Sequence, residues 1–324
     1  MKTSSWRLLA LLPAGALALT SVAACGSENS DAADDGTISI VASTNVYGSI
    51  ASAIGGDDVE VTSIIDSASQ DPHEYEATTS DLATLSGADI VIENGGGYDS
   101  FVDTMLDSVD TDPTVLTAVD ISGLLDEDSD HSDEEHADEE SEDGHDHVEG
   151  FNEHVWYDFH TVEAVAEEIN EHLAEVDPDN ASTYEANYEE VAAQVEDLST
   201  QVSDLASSTE GRGVAITEPV PLYLLTEAGL TNETPDEFSE AVEEGTDVPP
   251  RVLAETLALF DGDTDIAVLA YNTQAADDTT EQVQQAAEAA GVPVVDFSET
   301  LPDGVDDYVT WMQDNVDDLT AALG

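Results

Sequence analysis

The chain holds one cysteine, Cys25, in 324 residues, so no intrachain disulfide is possible. Basic side chains are almost missing: Lys and Arg total 4 against 75 Asp and Glu, a net charge of −71. Lys2 and Arg7 lie near the N-terminus, which leaves Arg212 and Arg251 for the rest of the chain. Such a balance excludes nucleic acid as a partner, because binding it requires a positive surface that releases counterions. It also argues against electrostatic docking on anionic lipid. The catalytic signatures Gly-x-Ser-x-Gly and His-Glu-x-x-His are missing, and Gly95-Gly96-Gly97 lacks the lysine of a phosphate loop. Neither histidine nor cysteine occurs after His172, so a side-chain metal ligand from the C-terminal part has to be an oxygen donor.

What is present is an ordered pattern. Apolar residues make up 40% of the chain and fall in periodic blocks, which points to a folded protein inside an acidic shell rather than to disorder. Self-repulsion at this charge weakens a compact state unless salt screens it, and at about 1 M salt the Debye length is only ~3 Å. A salt-adapted, halophilic type of protein is the expectation.

The first residues read as an export signal. Lys2 and Arg7 form a positive end, and residues 8–20 form an apolar run too short for a stable membrane anchor. Val22-Ala23-Ala24-Cys25 then resembles a bacterial lipobox, with Cys25 as the lipidated residue. The expected organisation is a signal peptide over 1–24, a tether over 25–36, and an N-terminal lobe over 37–176. A spine helix over 177–210 and a C-terminal lobe over 211–324 follow.

Strand and helix patterns alternate through both lobes. Strands are expected at 37–43, 59–65, 88–92 and 114–119, with helices near 50–54, 79–86 and 101–109. Residues 126–149 break the pattern; they are acidic and aperiodic and carry His131, His136, His145 and His147. These four are expected to be weak, accessory metal collectors on a disordered insert. A helical stripe resumes at Val162, Val165, Ile169 and Leu173. Tyr184, Tyr188, Val191, Val195, Leu198, Val202 and Leu205 then recur at helical spacing and predict one rigid amphipathic helix over 179–207. Further strands are expected at 213–217, 265–270 and 292–297, and helices at 222–228, 250–260, 279–290 and 308–322. The fold class is α/β, two lobes with parallel-type sheets joined by one long spine helix.

Four histidines lie outside the insert. His172 falls on the exposed side of a helix, and His160 just before a helix start, where a capping role is expected. His73 and His154 are set differently, on loops beside aromatics, in Asp71-Pro72-His73-Glu74-Tyr75-Glu76 and Glu153-His154-Val155-Trp156-Tyr157-Asp158. Both lie near strand ends, where open α/β sheets bind ligands.

These two motifs, with Ser80-Asp81-Leu82, Glu93-Asn94-Gly95 and Asp177-Pro178-Asp179-Asn180-Ala181, resemble the zinc and manganese receptors of ABC transporters, the cluster A type of solute-binding lipoprotein. The resemblance runs from about Thr37 to the C-terminus. It implies one metal held between two lobes by four side chains. His73 and His154 match the first pair. Glu218, in Ile216-Thr217-Glu218, and Glu299, in Ser298-Glu299-Thr300, match the second, with Glu227, Asp296 and Asn272 as rivals.

The expected function is therefore capture of a divalent transition metal outside the membrane and delivery to an ABC permease, with Cys25 tethering a monomer to the bilayer. No catalytic step is expected. Zinc is favoured over manganese as the transported ligand, from the His-bearing insert and from the order of intrinsic affinities; Glu218 in place of histidine points toward manganese. A surface metallohydrolase and an adhesin of the same fold are the alternative readings.

Overall fold

The computed structural model describes residues 37–73, 75–125, 150–262 and 265–324. Cys25 and the insert histidines His131, His136, His145 and His147 lie outside the described residues.

Two four-stranded parallel sheets organise the chain. The first contains β1 (Ile38–Thr44), β2 (Val59–Ile65), β3 (Ile90–Glu93) and β4 (Thr114–Thr117), in the order β2-β1-β3-β4. The second contains β5 (Gly213–Ile216), β6 (Thr231–Asn232), β7 (Ile266–Asn272) and β8 (Val294–Phe297), in the order β6-β5-β7-β8. β3, β5 and β7 are buried along their whole length, as parallel strands covered on both faces must be. β2, at an edge, instead alternates between half-buried and exposed residues before its last two buried ones.

Helices cover the sheets. In the first half these are α1 (Asn45–Gly55), α2 (Thr79–Leu85), α3 (Phe101–Leu106), α4 (Ala118–Ser122) and α5 (Phe159–Val176). α1 follows β1 without a loop and packs so closely on β2 that a Cβ at Gly48 would strike Ser63 Oγ. α2 starts at a capping box in which Thr78 and Asp81 each accept the other's backbone N–H. Asp158 caps α5 through Thr161 N at 3.0 Å. His160 therefore does not cap: it is the second residue of α5 and exposed, because Asp158, two residues earlier, occupies the cap position. His172 is half-exposed, with Nδ1 2.8 Å from Glu168 O.

The spine is α6 (Ala181–Thr209), 29 residues and roughly 43 Å long at 1.5 Å per residue. It begins two residues later than the apolar period suggests, after Asn180, and buries Tyr184, Val191, Val195, Leu198 and Val202 on one stripe. Its N-terminal part lies on α1, where Asn187 Nδ2 donates to Ile54 O at 2.8 Å. Its C-terminal part lies on α11 (Tyr308–Leu323), where Gln201 and Gln313 pair.

The second half adds α7 (Leu222–Glu227), α8 (Asp236–Glu243), α9 (Pro250–Ala258) and α10 (Asp278–Ala290). One apolar core runs from Ile40 and Ile92 through Trp156, Val195 and Leu198 to Val214, Phe297 and Trp311. The halves thus share a core through the spine, so relative motion between them has to be small. Two outer clusters complete the packing, one around Val91, Phe101 and Met105, the other around Phe238, Leu269 and Val283. Among the described residues, no helix is long and apolar enough to cross a membrane.

Candidate metal centre

The carboxyl ends of both sheets face one cavity of about 830 Å³, lined among others by Asp71, His73, Glu218, Glu243, Gln274 and Glu299. Each lining side chain is set by local chemistry. His73 lies in the loop after β2, where Asp71 Oδ1 accepts the His73 backbone N–H at 2.9 Å and tightens the turn around Pro72. Its ring stands edge-on to Tyr98, with centroids 4.9 Å apart.

His154 is fully buried. Asn152 Nδ2 donates to Pro219 O at 3.2 Å, which makes its Oδ1 the acceptor. That oxygen lies 2.7 Å from His154 Nδ1, so Nδ1 carries the hydrogen and Nε2 keeps the lone pair that a metal needs. Asn94 Nδ2 donates to Glu153 O at 2.9 Å and ties the segment to the end of β3. Asp99 holds that end, accepting from the N–H groups of Asn94 and Gly95 at 2.7 and 2.8 Å.

Glu218 follows β5 by two residues and Glu299 follows β8 by two; both are buried. Asn272, the last residue of β7, donates its amide to both carboxylates, at 3.0 Å to Glu299 Oε1 and at shorter range to Glu218 Oε2. Gln274 accepts from the backbone N–H of Glu299 and Thr300, and reaches across to Ala68 O at 2.9 Å. The Ser298–Thr300 turn is thereby fixed against the first half of the chain.

His73, His154 and Glu299 converge, with one ligand atom from each lying within 4.8 Å of the others. His73 Nε2 is 3.9 Å from Glu299 Oε2. Two ligands of one tetrahedral ion, bonded at about 2.1 Å, stand roughly 3.4 Å apart, so a small contraction would close this set on a metal. Glu218 is not in that group; Asn272 holds its carboxylate one amide away from Glu299. Of the rivals, Glu227 accepts from Ser199 and Ser203 on the spine, away from the cavity, and Asp296 is exposed on β8. Asn272 is in the site, as a donor.

Glu243, at the end of α8, is a residue that sequence reasoning missed. Its Oε1 is 3.7 Å from His154 Nε2, and it forms a second ligand-spaced group with His73 and Glu153. The missed signal was a short amphipathic stretch: Asp236 and Glu237 after Pro235, then Phe238, Ala241 and Val242 at helical spacing.

Burial pushes the carboxyls toward their neutral forms. Glu218 is raised to about 7 and Glu243 to about 10, in each case chiefly by desolvation. Glu299 is raised by burial and then by the neighbouring Glu218. No basic side chain relieves this crowding among the described residues. Arg251 pairs with Glu237 and Glu255 on the surface, and Arg212 donates to Leu323 O. Two imidazoles and several crowded carboxylates form a donor set that fits a divalent transition metal, whose charge would let the acids ionise.

A family model described as ZnuA, zinc-uptake complex component A, periplasmic, matches residues 40–322. The chain is 30% identical over 168 residues to the manganese-binding lipoprotein MntA of Halalkalibacterium halodurans, covering 52% of this chain and 49% of that one. It is 28% identical over 176 residues to the metal ABC transporter substrate-binding lipoprotein SsaB of Streptococcus sanguinis, covering 53% and 52%. The chain thus spans about half the length of the curated relatives it matches. Its fold is similar to that of the periplasmic zinc-binding protein TroA from Treponema pallidum, with a TM-score of 0.68 at 18% identity, covering 89% of this chain and 99% of that one.

Proposed function

The chain belongs to the ZnuA family of zinc-uptake components, and from that premise we propose that it is the extracytoplasmic receptor of a metal-ion ABC transporter. In this reading it captures one divalent transition metal between its two halves and delivers it to a membrane permease. The observation that carries the reading is the convergence of His73, His154 and Glu299 beside an acidic cavity with no basic neighbour among the described residues. Glu218 is the remaining family-type ligand, held ready by Asn272 and recruited as the metal enters. No catalytic step belongs to this function.

Zinc is the metal we assign. Imidazole suits zinc, and for a given set of N and O donors the intrinsic affinity for Zn²⁺ exceeds that for Mn²⁺. The domain division follows the same reading: a lobe over 37–176, a spine over 177–210 and a lobe over 211–324. Cys25, after a lipobox-like Val22-Ala23-Ala24, is proposed as the lipid anchor. The shared core suits a receptor that moves little on loading and presents its metal-bound surface to the permease.

The test is titration of chelator-stripped protein with Zn²⁺ and Mn²⁺ against a competing chelator. One tight equivalent, with Zn²⁺ displacing Mn²⁺, is expected. No stoichiometric binding of either metal would overturn the receptor reading, and Mn²⁺ displacing Zn²⁺ would overturn the zinc assignment.

A further inference from the structure

Glu243 has no counterpart in the ligand set expected from the family motifs, yet its geometry is that of a ligand. Its side chain is only 14% exposed. Its Oε1 is buried and accepts no hydrogen bond among the described residues. The 3.7 Å that separates it from His154 Nε2 is too long for a hydrogen bond and close to the roughly 3.4 Å between two ligands of one tetrahedral ion.

In its ionised form this carboxylate gains nothing from its protein neighbours. It sits at the C-terminal end of α8, where the helix dipole disfavours negative charge. Its nearest polar companions include Glu153 and Glu218, which share the same cavity wall or ligand group. The helix itself is anchored by Phe238 and Ala241, which are buried and do not depend on Glu243. A cation placed among these groups would let the carboxylates ionise together and turn the arrangement favourable.

We propose that Glu243 is a metal ligand in its own right, presented by α8, closing the coordination sphere beside His154 as Glu299 does beside His73. This inference rests on the receptor reading above. It places α8 in the metal site and gives the ion one oxygen donor more than the four family-type side chains supply. The following segment, 244–248, lines the same cavity.

The test compares wild type, Glu243→Gln and His154→Ala, each stripped and titrated with Zn²⁺ against a chromophoric chelator, together with visible spectra of the Co²⁺-loaded proteins. Glu243→Gln keeps the shape and removes the charge. It is expected to weaken Zn²⁺ binding by at least about 10-fold and to change the Co²⁺ ligand-field bands, whose position and intensity report the donor set. An affinity within about 2-fold of wild type would overturn the proposal, since supporting groups alone are worth about 10-fold or more. A loss of affinity with an unchanged Co²⁺ spectrum would overturn it too, by showing Glu243 to be structural. If Glu243→Gln does not fold, Glu243→Asp, which draws the oxygens back by one methylene, is read the same way. Failure of wild type to bind one tight equivalent would instead sink the receptor reading itself.

Discussion

Asn152 Oδ1 accepts the Nδ1 hydrogen of His154 at 2.7 Å, and this bond leaves the lone pair of Nε2 on the side of Glu243, 3.7 Å from its Oε1. Such an outer partner fixes both tautomer and ring orientation. Asn152→Ala should leave the fold intact but weaken metal binding by about 10- to 100-fold. Chelator competition at fixed pH measures the loss. Unchanged affinity would show that burial alone orients the ring.

The two family-type carboxylates are not equivalent. Glu299 stands within ligand distance of His73, while Glu218 is held aside by Asn272. Glu299→Gln is therefore expected to weaken binding by more than the about 100-fold that supporting groups can reach, and Glu218→Gln to cost less than Glu299→Gln, because the Glu218 carboxylate has to leave Asn272 to reach the metal. Paired titrations of the two variants check the ranking. The reverse order would mean that the metal draws Glu218 in and leaves Glu299 behind.

The raised carboxyls fix how stability responds to pH. Glu218 moves from its ordinary 4.5 to about 7, and Glu243 from 4.5 to about 10, mainly through burial. Between those limits the native state holds protons that the unfolded chain has lost, so stability falls as pH rises. The metal-free protein should melt at progressively lower temperature from about pH 5 toward pH 8, over the window in which Glu218 and Glu243 resist ionisation. A metal held by the ionised forms would reverse this; loading should raise the melting temperature most at the alkaline end. Thermal melts with and without Zn²⁺ across that window test both signs. A metal-free melting temperature that rises with pH would contradict the burial of these acids.

Much of this was legible in the sequence because its signals were periodic or strongly local. The apolar stripe from Tyr184 to Leu205 specified the spine, and the Val and Ile blocks specified the buried strands. His73 and His154 stood out beside their aromatics. β6 is only two residues long, and α8 makes little more than two turns, so neither leaves a long period to read. Glu243 is one of 75 acidic residues, and only tertiary packing brings it to His154. The double role of Asn272 was equally hidden, since both partners lie on other strands' ends, 54 and 27 residues away.

Salt should matter unusually strongly. A net charge of −71 gives long-range repulsion, and Arg251 already spends its charge on Glu237 and Glu255. Raising KCl from about 0.1 M to about 1 M shortens the Debye length from roughly 10 Å to ~3 Å and should raise the melting temperature of the metal-free protein. A melt insensitive to KCl would remove the argument for salt adaptation.

The acidic insert, with His131, His136, His145 and His147, is the last point of choice. Four histidines among carboxylates make it the densest ligand run in the chain, yet a selective site needs fixed geometry, and the insert has no periodicity from which to build one. His73, His154 and Glu299 already bring two imidazoles and a carboxylate to ligand spacing without any contribution from it. Deleting residues 128–148 should therefore leave one tight equivalent of metal and remove only weak additional ones. Titration followed by equilibrium dialysis separates the two classes. Loss of the tight equivalent on deletion would transfer the function from His73 and His154 to the insert, and with it the reason for the cavity between the sheets.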